Sequence, residues 1–214
     1  MNVSNWMTKK VFTVAPGDPL TDAVHLMREQ GIKHIPVVSG GKLKGIVSDR
    51  DIREFTPSKA TTLDIYELHY LLARTRVKEI MEKKVITIAP DAPVESAALL
   101  MLDRSVGCLP VVEGGTLAGI ISDRDIFRVL VDLTGIRHGG NRITIVLADV
   151  SGSIKTAADI IRKHGFGLQS ILTSYVGVQK GSRRVVFRTT GTGNIRALAG
   201  ELTSTFRTVE IKKG

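Results

Sequence analysis

An eight-residue string occurs twice in this chain with one change: GIVSDRDI at 45–52 and GIISDRDI at 119–126, 74 residues apart. Sliding the chain by 74 also lays VFTVAPGDPLTDAVHLM on VITIAPDAPVESAALLM, and HIPVVSGGKLKGIVSDRDI on CLPVVEGGTLAGIISDRDI, without a gap. Val11, Thr13, Ala15, Pro16 and Pro19 fall on Val85, Thr87, Ala89, Pro90 and Pro93, and even Met7, Lys9 and Lys10 fall on Met81, Lys83 and Lys84. A unit of about fifty residues is duplicated. Two copies favour a pseudo-twofold pair, because a solenoid needs at least three repeats.

Each unit reads as strand, helix, strand, strand, helix. In the first, a short strand over Val11 to Val14 ends at Ala15-Pro16. A helix follows with Asp18 as N-cap and Pro19 at its first position. Leu20, Ala23, Val24 and Met27 recur at helical spacing and form its buried face, and Gly31 ends it. IPVV and LKGIV are strands joined at Ser39-Gly40-Gly41-Lys42, and a second helix starts near Asp49.

The Ser-x-x-Asp of each copy sits where a strand meets a helix, a place with free backbone N–H groups. The Ser hydroxyl suits a phosphate oxygen, the Asp carboxylate two vicinal ribose hydroxyls, and Arg50 or Arg124 a phosphate charge. The same Ser48-x-x-Asp51 spacing is also a capping box, which needs no ligand. Both readings stand on the residues alone.

This order, with PVV, a glycine turn and GI[VI]SDRDI, resembles the CBS domain, whose tandem pairs are called Bateman modules. The resemblance covers roughly residues 1 to 135. The intervening ATTLDIYELHYLLARTRVKEIM, with a helix around Ile65 to Ala73, resembles the linker of bacterial CBS proteins of the acetoin-utilisation (AcuB-like) type. It implies an adenine nucleotide (AMP, ADP or ATP), S-adenosylmethionine or NADH held as a regulatory ligand in the cleft between repeats. By position the resemblance assigns phosphate to Ser48 and Ser122 and ribose to Asp51 and Asp125, with Arg50 and Arg124 beside them. The adenine surroundings would be Thr13, Val14, His34, Ile35 and Pro36 in one copy, and Thr87, Ile88, Cys108, Leu109 and Pro110 in the other. Lys33-His34 gives the first site charge where the second has Gly107-Cys108, so the first is expected to tolerate the more charged ligand.

The net charge of +9 is uneven. Residues 1–140 hold 18 Lys+Arg and 17 Asp+Glu, whereas 141–214 hold 12 and 4, which places a boundary near His138-Gly139-Gly140-Asn141. A basic third could meet nucleic acid or another acidic partner. RITIVLAD, SIKTAADIIRKH, GLQSILTSYVGV, RRVVFRTTG, NIRALAGELTSTF and TVEIKK read as strand, helix, strand, strand, helix, strand, a ferredoxin-like βαββαβ pattern. It resembles an ACT domain, whose effector loop would lie at Asp149, Ser151 and Gly152, although Ser151 stands where that family has Pro.

The expected division is a first CBS repeat over 1–60, a helical linker over 61–76, a second repeat over 77–137 and an ACT-like domain over 141–214. The fold class is α+β/α/β, with βαββα units before a βαββαβ domain. No P-loop, H-E-x-x-H or paired C-x-x-C is present, the five histidines lack metal spacing, and Gly191-Thr192-Gly193 is a turn, so neither a metal nor an enzyme is expected. The lone Cys108 reads as a small buried hydrophobe in a reducing cytoplasm. No 18-residue apolar run or signal-peptide layout is present, so no membrane span is expected. These readings converge on a cytoplasmic regulatory protein, a homodimer by resemblance, that controls an unidentified partner. A nucleic-acid-binding protein or constitutive scaffold built on the basic third is the alternative.

Overall fold

The computed structural model describes residues 1–55 and 65–213. The expected end of the first repeat at 60, and linker residues 61–64, lie outside the described residues. The chain divides into two compact units, Met1–Ile126 and Phe127–Gly214. Among the described residues no helix is long and apolar enough to cross a membrane.

The first unit builds the same motif twice. Helix α1 (Leu20–Gln30), strands β1 (His34–Ser39) and β2 (Lys42–Ser48) and helix α2 (Asp49–Phe55) form one copy. Helices α3 (Ile65–Arg74) and α4 (Val77–Ile80) then lead into α5 (Val94–Arg104), β3 (Cys108–Glu113), β4 (Thr116–Ser122) and the first residues of α6 (Asp123–Thr134). Strand order is β1-β2-β4-β3, with β2 meeting β4 at Lys42 and Thr116. Each hairpin turns on two glycines with positive φ, Gly40 and Gly41 or Gly114 and Gly115, as a two-residue turn of this hand requires. Each also carries the same bulge, which skips Lys44 in one copy and Ala118 in the other.

Two sequence expectations change. The strand over Val11 to Val14 is reduced to a single parallel bridge from Val14 to Val37, matched by Ile88 to Val111. Helix α1 begins one residue later than read, with Pro19 as its N-cap. Asp18 instead holds the preceding turn, its Oδ2 accepting from Ala15 N at 2.6 Å. It is spared from capping because Leu20 N already donates to Thr75 O at 2.9 Å.

That bond belongs to a reciprocal exchange of lead-in segments. Residues 75–82 pack on the first repeat: Val77 N donates to Asp18 O, Lys78 N to Pro16 O, and Ile46 and Glu82 exchange two bonds. Seventy-four residues earlier, the N-terminal segment packs on the second repeat in the same pattern. Val3 N donates to Ala92 O, Ser4 N to Pro90 O and Val94 N to Met1 O, while Thr8 and Ile120 exchange two bonds. Val77 and Leu72 thereby enter a core with Val14, Leu20, Ala23, Ile35, Val37 and Val47. Each repeat is completed by the segment that precedes the other.

In the second unit, β5 (Asn141–Ala148), α7 (Ser153–Lys163), β6 (Gly167–Ser174), β7 (Ser182–Thr190), α8 (Ile195–Thr205) and β8 (Val209–Lys213) form a βαββαβ chain. The antiparallel sheet has order β6-β7-β5-β8, the ferredoxin-like arrangement. Ile143, Ile145, Leu147, Val185 and Phe187 meet Ala157, Ile161, Leu198 and Leu202 in its core. Strand β6 stops at Ser174, short of the expected Val178, because Arg184 donates to Val176 O at 3.0 Å and to Gly177 O at 3.4 Å and turns the chain there. Glu201 ties the end of α7 to α8, 2.9 Å from Lys163 Nζ and 2.8 Å from His164 Nε2.

Two stability measurements test this packing. A Cβ on Gly45 would stand 2.7 Å from Met81 Sδ and 2.9 Å from Glu82 O, and one on Gly119 2.5 Å from Met7 Sδ and 3.0 Å from Thr8 O. Gly45→Ala and Gly119→Ala should each cost about 1–3 kcal/mol in urea unfolding, by forcing the exchanged segments away. Ser105 occupies the left-handed C-cap of α5 at φ 53°, where its counterpart in α1 is Gly31. Ser105→Gly should stabilise by about 0.5–1 kcal/mol in the same assay.

Candidate functional site

The strand-to-helix junctions of β2–α2 and β4–α6 are built alike. Ser48 N and Ser48 Oγ both donate to Asp51 Oδ2 at 2.7 Å, and Asp51 N donates back to Ser48 Oγ at 3.2 Å. In the second copy Ser122 N and Oγ donate to Asp125 Oδ2 at 2.9 and 2.8 Å. The first is a complete capping box and the second shows its Ser-to-Asp half, so this geometry alone accounts for the sequence spacing. Two features exceed a cap. Asp125 is buried at 7% exposure. The second carboxylate oxygen of Asp51, Oδ1, accepts no hydrogen bond among the described residues.

The other named residues divide. Val14, Ile35, Pro36, Cys108, Leu109 and Pro110 are buried, and His34 and Ile88 are half-buried; residues 34–36 and 108–110 open β1 and β3, while Val14 and Ile88 bridge to Val37 and Val111. The register pairs His34 with Ser48 and Cys108 with Ser122. Thr13, Thr87 and Lys33 are exposed. Arg50 is not brought to Ser48: its Nε lies 2.7 Å from Glu54 Oε1, one turn along α2. Arg124 is exposed.

The structure adds Asp49 and Asp123, which the reading of Ser, Arg and Asp passed over although both lie inside the duplicated SDRD. Their amides donate to Lys33 O and Gly107 O at 2.9 Å, tying each helix start to the entry of the neighbouring strand. Gly107 lies close to His34: a Cβ there would meet His34 Cε1 at 3.3 Å and Asp123 Oδ2 at 3.8 Å. His34 of one repeat thus reaches the strand entry of the other, at the centre of the pair. Burial pushes its imidazole below the ordinary value, outweighing the pull of Asp49, Asp123 and Asp51 upward. Cys108 sits nearby, and burial, with Asp123, pushes its thiol up to about 12, which makes it an inert core residue.

In the second unit, the loop residues Asp149, Ser151 and Gly152 lie at the start of α7, with Gly152 as N-cap at φ 83°. Arg183 occupies this loop: its Nε is 3.4 Å from Asp149 Oδ1, and its guanidinium donates to Ser153 Oγ at 3.0 Å. No group of three His, Cys, Asp or Glu among the described residues is arranged to hold a metal.

The lowered His34 value fixes a sign. The folded chain holds this proton less tightly than the unfolded one, so folding loses stability as pH falls below 6.5 and gains nothing from His34 above it. A histidine NMR titration should place the His34 midpoint below 6.5. A midpoint above it would mean that the three carboxylates dominate over burial.

A CBS domain family model matches residues 3–57 and 77–132. The CBS domain-containing protein YhcV of Bacillus subtilis is 31% identical over 125 residues, covering 58% of this chain and 82% of YhcV. An inosine-5'-monophosphate dehydrogenase of Korarchaeum cryptofilum is 35% identical over 124 residues, but the chain spans only 23% of that enzyme. Among solved structures, a protein assigned to acetoin utilization (AcuB) from Vibrio cholerae superposes with TM-score 0.54 at 33% identity, covering 64% of this chain and 96% of that one. The CBS pair of protein MJ0100, in complex with 5-methylthioadenosine and S-adenosyl-L-methionine, gives 0.50 at 26% identity over 61% of this chain and 99% of its own. CBSX2 in complex with AMP gives 0.51 at 27%, over 61% of this chain and 96% of its own. By its sequence match, duplicated fold and paired junctions, this chain belongs to the CBS domain family and carries two CBS domains in tandem.

Proposed function

We propose that this chain is a cytoplasmic regulatory protein, not itself an enzyme, whose CBS pair binds an adenine nucleotide or other adenosyl ligand and thereby controls a partner protein. The observation that carries the reading is the doubled Ser–Asp junction, one carboxylate buried and the other with an oxygen in reserve. The AMP complex of CBSX2 and the S-adenosylmethionine complex of MJ0100 support the ligand class. In this reading the ribose hydroxyls donate to Asp51 or Asp125, the phosphate or its replacement approaches Ser48 or Ser122, and adenine lies against Val14, Ile35 and Pro36 or Ile88, Leu109 and Pro110. Arg50, held by Glu54, must change rotamer to take part.

The division into repeats over 1–60 and 77–137, joined by a linker over 61–76 and followed by an ACT-like domain over 141–214, belongs to the same reading. The ferredoxin-like strand order supports the last assignment. We read that domain as a dimerising module, with an AcuB-like role for the whole. A ligand shifts the module only by its difference in affinity between two arrangements. The two repeats contribute mirrored lead-ins, so a ligand between them acts on segments both repeats share.

Thermal unfolding with AMP, ATP and S-adenosylmethionine tests this. A ligand at about 100 times its dissociation constant adds about 2.7 kcal/mol to the folded state. The wild type should gain that increment with at least one adenosyl ligand, and Asp51→Ala/Asp125→Ala should lose it. Ser48→Ala/Ser122→Ala without ligand measures the capping contribution, about 1 kcal/mol per site. Shifts of equal size in wild type and the Asp double variant would place the ligand elsewhere. No shift with any of the three would leave both junctions as caps.

A further inference from the structure

The sheet of the second unit has two faces of opposite character. Side chains at 143, 145 and 147 of β5 and at 185 and 187 of β7 turn toward α7 and α8. Alternation puts Arg142, Thr144, Arg188, Glu210 and Lys212 on the other face. The register places Lys212 directly opposite Arg142, and Arg142 directly opposite Arg188. Three cations therefore form one row across β8, β5 and β7. Like charges in directly opposed positions destabilise a sheet.

The row is compensated at one end only. Glu210 lies 2.7 Å from Lys212 Nζ and 3.9 Å from Arg142 Nη1. Arg188 has no carboxylate partner among the described residues, although it is only 5% exposed. Its side chain donates from Nη1 to Gly139 O at 3.2 Å, and its other nitrogens are not sealed from solvent, so their donors stay open to a ligand. So little exposure of the residue holds the guanidinium in one place, with donors that an anion can reach. The face is covered at the Arg188 end and open at Arg142 and Lys212. Thr144 is 9% exposed and accepts from Arg142 Nη1 at 3.0 Å. Ser170 Oγ donates to Thr134 O at 3.0 Å, and a Cβ on Gly135 would meet Gln169 Cγ at 2.6 Å and Arg188 Cδ at 3.5 Å.

We propose that Arg188, Arg142 and Lys212 form a binding site for a small ligand bearing oxyanions, a phosphate ester or a polycarboxylate. The planar guanidinium of Arg188 matches such a group with two parallel N–H donors. The site shares no residue with the Ser–Asp junctions or with the loop at Asp149, and it lies against the segment Thr134–Gly139. Arg188 forms the covered end of the row, while the Arg142 and Lys212 side chains are 39% and 64% exposed, so a ligand reaches the row from solvent.

Isothermal titration of the full chain with inorganic phosphate and with citrate tests the site. Ionic strength is held constant, because both anions stabilise proteins non-specifically at high concentration. Saturable binding of at least one anion is expected, weakened about tenfold or more in Arg142→Ala/Lys212→Ala. Arg188→Met should abolish binding, and its ligand-free thermal midpoint shows whether the variant is folded, since the substitution also removes the bond to Gly139 O. Arg188→Lys keeps the charge without the fork, and should bind more weakly than wild type if the methionine variant does not fold. Three results would overturn the proposal: no saturable binding to wild type, equal affinity in the folded variants, or binding of a 20-nucleotide oligomer with none of either small anion.

Discussion

The first unit is held in its paired form by an exchange of main-chain hydrogen bonds, with two between Ile46 and Glu82 and two between Thr8 and Ile120 at its centre. They attach each repeat to the segment that precedes the other. The same exchange supplies the first capping bond of α1 from Thr75 O and of α5 from Met1 O. It buries Val3 and Val77 completely. A repeat separated from its neighbour would therefore lose a helix cap, a strand partner and a core side chain together. Duplication in the sequence is thus more than repetition of a foldable piece, because neither piece closes its own core.

The pairing also brings chemistry to the centre of the unit. His34 reaches Gly107 of the other copy, where a Cβ would stand 3.3 Å from its ring, and it lies in the field of the carboxylates of Asp49, Asp51 and Asp123. The two copies differ most here, with His34 in one and Cys108 in the other. An expectation drawn from Lys33-His34 was a site suited to more negative ligands. Lys33 is exposed, and burial lowers the His34 imidazole against the upward pull of the carboxylates, so that positive character is smaller than the residue types alone imply.

Much of this was legible beforehand, for identifiable reasons. Glycine pairs at 40–41 and 114–115 dictated the hairpins, because a two-residue turn needs positive φ at both positions. Periodicity located α1, α7 and α8, and alternation located β5. The Ser-x-x-Asp spacing predicted its own hydrogen bonds. What stayed hidden depends on contacts between distant segments. The N-cap of α1 moved because Thr75, 55 residues later in the chain, reached Leu20 first. The strand at 11–14 shrank to one bridge at Val14. Arg50 left the site for Glu54, and Asp49 and Asp123 entered it, since side-chain direction at a helix start is set by the neighbouring strand entry. The cation row of β8, β5 and β7 needed the register, which no local pattern states.

The central claim is that the doubled junction receives an adenosyl ligand at the carboxylates of Asp51 and Asp125. In the ligand-free geometry the serines occupy one oxygen of each carboxylate. The most direct measurement is a crystal structure of the full chain grown with AMP. The account predicts ribose hydroxyls within hydrogen-bonding distance of Asp51 or Asp125, with the adenine against the start of β1 or β3. A nucleotide bound away from both junctions, or crystals in which both serine–aspartate caps persist with no nucleotide at saturating AMP and S-adenosylmethionine, would contradict it.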